Sequence, residues 1–121
     1  MNANLGNWVS LDLYSEPQPD VVLLRPRDDF YTTNHPGPAD VLLLIEIADS
    51  RLAYDRGVKA GLYAETGIIE YWVADIPHDC VWAYSDIQDK AYRVVRELNR
   101  GEAVAPQLLP DCRIPIEILL P

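Results

Sequence analysis

The chain has 121 residues, 49% of them hydrophobic and 24% charged, with a formal net charge of −9 at pH 7. That length fits one domain with one core, spanning residues 1–121, and leaves no room for a second. No stretch approaches the roughly 18 apolar residues of a membrane span, and the first residues lack a basic-then-apolar leader pattern. The expectation is a cytoplasmic protein with no membrane partner. The acidity argues against a broad basic face for nonspecific nucleic-acid binding. It leaves room for a metal-dependent site, because the formal count omits the charge of a bound ion.

In chain order, Trp8–Tyr14 alternates apolar and polar residues and predicts a strand, which Ser15–Pro19 breaks. Asp20–Arg25 predicts a second strand, and Pro26–Ala39, rich in Pro, Asp, Gly and Asn, a loop. Asp40–Ala48 is the most apolar run and predicts a fully buried strand. Asp49 or Ser50 can cap a helix over roughly Leu52–Thr66, with Gly67 as its stop. Ile68–Asp75 and Cys80–Tyr84 predict strands separated by a turn at Ile76–Asp79, and Lys90–Leu98 follows a turn at Asp86–Asp89. A last strand is expected over Ile114–Leu119, where Pro115 suits an edge. A helix between two strongly apolar strands predicts a right-handed crossover joining parallel neighbours, and short later turns predict antiparallel ones. The fold class is therefore α/β, a mixed sheet with a central crossover helix on one face.

Two acids stand out. Glu46 lies inside the run Val41-Leu42-Leu43-Leu44-Ile45-Glu46-Ile47-Ala48, where an unpaired charge is very costly, so a partner, a metal or a raised pKa must accommodate it. Asp20 opens the other apolar strand, although an Asp after Pro is also ordinary turn chemistry. Lys59 follows on the helix. Two acids at strand ends and a nearby lysine could hold a divalent cation and orient a water for phosphodiester hydrolysis.

On the helix, Asp55, Val58, Lys59, Leu62, Tyr63 and Thr66 share one stripe, with Val58 and Leu62 expected against the sheet. Asp55 and Lys59 also fit a plain surface salt bridge worth a few tenths of a kcal/mol. His35 and His78 read as solvated loop residues. Tyr71, Trp72 and Trp82 read as core and sheet aromatics. Cys80 and Cys112, lacking metal or redox spacing, read as small, partly buried hydrophobes.

Pro19-Asp20-Val-Val-Leu-Leu, Ala39-Asp40-Val-Leu-Leu-Leu-Ile-Glu46-Ile, Tyr54-Asp55-Arg56-Gly57-Val58-Lys59 and Leu62-Tyr63-Ala64-Glu65-Thr66-Gly67-Ile68-Ile69-Glu70-Tyr71-Trp72-Val73-Ala74-Asp75 together resemble the Uma2 family. That family falls within the PD-(D/E)xK nuclease superfamily. The likeness is close from Gln18 to about Asp86 and loose beyond.

It implies a restriction-endonuclease-like fold and a Mg²⁺- or Mn²⁺-dependent endonuclease acting on DNA. Asp20, Glu46 and the Ile47 carbonyl would be the metal ligands, and Asp20, Glu46 and Lys59 the catalytic residues. Asp55 and Tyr63 would support them, while Arg25 and Arg27 would contact nucleic acid. Two departures accompany the likeness. The superfamily's lysine position, two residues after the second acid, is Ala48 here, so Lys59 would replace it from the helix. Only about 18 residues precede Asp20, so the N-terminal helix and hairpin usual in the family are expected to be short or missing. These departures and the acidity support an alternative: a catalytically inactive relic serving as a protein-binding or dimerisation module. Self-association is open under either reading.

Overall fold

The computed structural model describes residues 20–28, 36–50 and 52–121. The strand expected at Trp8–Tyr14, the loop residue His35 and any additional N-terminal elements lie outside the described residues. Strand β1 is Val21–Leu24 and β2 is Val41–Ala48, joined through a 3₁₀ turn at Pro38–Asp40. A continuous helix, α1, follows in three pieces: α-helical Leu52–Tyr54, a π turn at Asp55–Lys59, and α-helical Ala60–Thr66. Gly67 ends it at φ 92°, a left-handed conformation that only glycine adopts without strain. Strands β3 (Tyr71–Asp75), β4 (Cys80–Gln88) and β5 (Ala91–Asn99) complete the main sheet. β6 (Ala103–Val104) and β7 (Ile114–Pro115) form a small second sheet.

The sheet order is β1-β2-β3-β4-β5, with β2 and β3 parallel and the other neighbours antiparallel. This is the mixed sheet with a helical crossover that the hydrophobic pattern predicts. The long unbroken apolar run of β2 follows from burial on both faces. Side chains alternate across the sheet. Val22, Leu24, Leu44, Ala48, Tyr71, Val73, Trp82, Tyr84 and Tyr92 pack under Ala60 and Tyr63 of α1. Leu43, Ile45, Trp72, Ala74, Val81, Ala83 and Leu98 pack under the C-terminal segment through Ile114, Ile116 and Leu120.

Three expectations change. The tail strand is only Ile114–Pro115, and Ile116–Leu119 is a 3₁₀ turn that drives Ile116 into the core. β4 runs on to Gln88, because the tight turn falls at Asp89 and Lys90, both at positive φ. Val58, expected against the sheet, is 60% exposed. The π turn holds more residues per turn than an α-helix, so it rotates the buried stripe onto Asp55, Lys59, Ala60 and Tyr63.

Candidate active site

β2 and α1 bring three predicted residues into direct contact. Glu46 points to the helix-covered face of the sheet, where its Oε2 accepts hydrogen bonds from Lys59 Nζ at 2.8 Å and Tyr63 OH at 2.9 Å. All three are buried, at 2, 4 and 0% exposure. Glu46 Oε1 takes no hydrogen bond among the described residues. Burial pushes the Glu46 carboxyl above its ordinary value; hydrogen bonding and charge from Lys59 and the Tyr63 bond oppose this, and the charge of Asp55 adds to it. Burial and the Glu46 charge raise Tyr63 in turn, so its hydroxyl keeps its proton and remains a donor.

The π turn positions the lysine. Tyr71 OH on β3 donates to the Asp55 carbonyl at 3.0 Å, fixing this turn to the sheet. Asp55 Oδ1 then lies 4.0 Å from Lys59 Nζ. The pair has the i,i+4 spacing read from the sequence, but it is buried, and Lys59 turns inward to Glu46. The surface salt bridge is therefore corrected to a buried arrangement of two acids around one ammonium. Single-turn π segments occur often at functional sites.

Asp20 reaches the same edge from β1. Its Oδ2 accepts the Ile47 N–H at 2.7 Å, taking up a β2 donor beyond the start of β1. Val21 pairs with Ile45, so one step further Asp20 falls opposite Glu46 and on its face of the sheet. In an extended strand the N–H and C=O of one residue point to the same side, which directs the Ile47 carbonyl towards Asp20.

Among the described residues there is no group of three or more His, Cys, Asp or Glu arranged to hold a metal. The strand register nevertheless puts the carboxylates of Asp20 and Glu46 and the backbone of Ile47 at one edge of the sheet, and carboxylate and carbonyl oxygens are the ligand type a hard cation takes. Oxygen donors of this kind are the ligand type of Mg²⁺ and Mn²⁺, whereas zinc sites usually draw on imidazole or thiolate.

Arg25 and Arg27 lie apart from this edge. Leu24 pairs with Val41 at the opposite end of β2, so Arg25 is roughly 16 Å along the strand from Asp20, at about 3.3 Å per residue. Arg25 Nε donates to the Ala39 carbonyl at 3.0 Å, and Arg27 Nη1 is 3.9 Å from Asp40 Oδ2.

A neighbouring cluster escaped the sequence reading. Asp75 ends β3 beside Ala48, on the Glu46 face, and is only 1% exposed. It accepts hydrogen bonds from Trp82 Nε1 at 2.9 Å, His78 N at 3.0 Å and His78 Nδ1 at 2.9 Å. Burial acts to raise Asp75, but these hydrogen bonds outweigh it and hold the carboxyl below its ordinary value. The Arg56 guanidinium lies 3.9 Å above the Trp82 ring, and its Nε donates to Tyr84 OH at 2.8 Å. Like Glu46, Asp75 is an acid closing an apolar strand, and that shared feature is the available clue. Glu70, a further buried acid, is structural: it accepts Trp72 Nε1 and the Gln107 N–H, each at 2.8 Å.

A five-stranded mixed sheet, one helix crossing between its parallel pair, and acids at the carboxyl edge of that pair define a restriction-endonuclease-like α/β protein. The chain belongs to the Uma2 family, whose description is "Putative restriction endonuclease"; the family model matches residues 2–117, nearly the whole chain. No curated protein matches it. No helix among the described residues is long and apolar enough to cross a membrane.

Proposed function

We propose that this protein is a divalent-metal-dependent endonuclease that hydrolyses phosphodiester bonds in DNA. One observation supports this most: in a chain of this family, Glu46, Lys59 and Tyr63 meet at a single carboxylate oxygen on the strand edge where Asp20 engages Ile47. Asp20, Glu46 and the Ile47 carbonyl would hold Mg²⁺ or Mn²⁺. The ion, when bound, supplies Lewis acidity and positive charge at the scissile phosphate.

The chain's own residues do the rest. Tyr63 fixes the Glu46 carboxylate through Oε2, leaving Oε1 for the cation. Lys59 holds a positive charge beside the carboxylate, where negative charge grows on the phosphate during attack, and so stabilises the transition state more than the bound substrate. Asp55 and the Tyr71 bond keep the π turn, and thus the ammonium, in place.

The acidic net charge and the closed Glu46–Lys59 pair favour a second reading, an inactive relic that retains the pair as a structural element and binds a partner protein. Calorimetric titration with Mn²⁺ separates the two. The nuclease reading predicts saturable binding by the wild type, lost in both Asp20→Asn and Glu46→Gln. Absence of wild-type binding, or binding unchanged in both variants, would refute it.

A further inference from the structure

Arg56 stands out by how it is held. Its ring-face contact with Trp82 and its Nε bond to Tyr84 OH fix the guanidinium plane, and the same hydroxyl lies 3.4 Å from the Arg56 carbonyl, which it faces as a donor. Trp82 is itself locked, because its Nε1–H is bound by buried Asp75. His78 closes the far side of that carboxylate. Yet Arg56 makes no ion pair among the described residues, and its Nη groups take no hydrogen bond there. An arginine holds five N–H donors, of which Tyr84 uses one.

The topology places this arginine beside the proposed site. Glu46 pairs with Val73, and Val73 with Trp82, so Glu46, Val73 and Trp82 form one row across three strands. Trp82 is thus two strand spacings, about 10 Å, from Glu46 on the same face. Arg56 and Lys59 both come from the π turn, one above each end of the row.

We infer that Arg56, held on the Trp82–Asp75 platform, is a phosphate-binding subsite for the nucleic-acid backbone, gripping a phosphate that neighbours the one at Glu46. A rigid guanidinium fork matches two phosphate oxygens, and stacking on an aromatic face prepays its ordering. Trp82 and Asp75 are positioning residues, acting through Arg56. The identity of the polyanion rests on the nuclease reading; the subsite itself does not require cleavage.

The test measures binding of a short fluorescein-labelled DNA oligonucleotide by anisotropy, in EDTA and at low salt, with polyglutamate as competitor. Arg56→Gln should raise Kd about tenfold and make the slope of log K against log salt shallower by about 0.7–0.9, the loss of one phosphate contact. Arg56→Lys should keep the slope while recovering only part of the affinity, and Trp82→Ala should weaken binding as Arg56→Gln does. Polyglutamate should compete poorly.

Several results would overturn the inference: no wild-type binding at low salt, unchanged Kd and slope in Arg56→Gln, or displacement by polyglutamate as effective as by DNA. A lower melting temperature in Arg56→Gln with unchanged binding would make the residue purely structural and would also overturn it. Arg56-dependent binding by a protein that cuts nothing with Mn²⁺ would leave the subsite standing and remove the nuclease reading. Cleavage with binding indifferent to Arg56 would do the reverse.

Discussion

Replacing Lys59 with methionine exposes the electrostatic design of the Glu46 pocket. The change keeps most of the apolar stem and removes the ammonium 2.8 Å from Oε2. Tyr63 remains as a donor, but burial and the charge of Asp55 then act on the carboxylate without the lysine's opposing charge. Losing one partner of a buried ion pair costs about 3–5 kcal/mol.

The cost must depend on pH, because protonating Glu46 removes it. Glu46 already sits above its ordinary value of 4.5, and the substitution raises it further. A carboxyl raised in the fold binds its proton more tightly folded than unfolded. Stability is therefore full below pH 4.5 and falls as pH rises through the folded value, by about 1.4 kcal/mol per pH unit inside that window. Urea unfolding should show Lys59→Met losing about 3 kcal/mol or more at pH 8 and much less at pH 5. Adding Glu46→Gln should restore most of the pH 8 loss and flatten the difference between the two pH values. An equal loss at both pH values, or no rescue by the second substitution, would refute this account of the pocket.

A hundredfold excess of Mn²⁺ over its dissociation constant should stabilise the wild type by about 2.7 kcal/mol, and Glu46→Gln should abolish the shift in a melting experiment. A thiol reagent should modify exposed Cys112 in the native protein and spare buried Cys80, whose thiol burial pushes up to about 11, until the chain is unfolded. Gly67→Ala should cost about 1 kcal/mol in chemical denaturation, because it forces a side chain into the left-handed conformation at φ 92°.

The main sheet was legible because its strands carry unbroken apolar runs and its helix ends at a glycine, features that burial and backbone sterics impose directly. Glu46 was legible for the same reason, as a charge where water cannot reach. The inward turn of Lys59 was less so. An α-helical wheel sets Asp55, Val58 and Lys59 on one stripe with Val58 against the sheet, and only the π turn, which no periodicity encodes, turns Val58 out and leaves Asp55 and Lys59 buried. The tail was misread because an alternating apolar pattern over Ile114–Leu119 fits a strand and a 3₁₀ turn packed on the sheet equally well. Asp75 was read as the end of a strand because its partners, Trp82 and His78, come from the next turn and strand. Arg56 enters the sequence pattern only as part of the Tyr54–Lys59 motif, since stacking on Trp82 depends on two strand registers that a linear reading does not supply.

Supercoiled plasmid incubated with the metal-loaded protein, beside Glu46→Gln and Lys59→Ala, tests the central claim most directly. The account predicts nicking by the wild type with Mn²⁺ or Mg²⁺, its loss on chelation and in Glu46→Gln, and a rate in Lys59→Ala that falls far more than DNA affinity does. A folded wild type that binds Mn²⁺ and leaves the plasmid intact, or a Glu46→Gln variant that nicks at the wild-type rate, would contradict it.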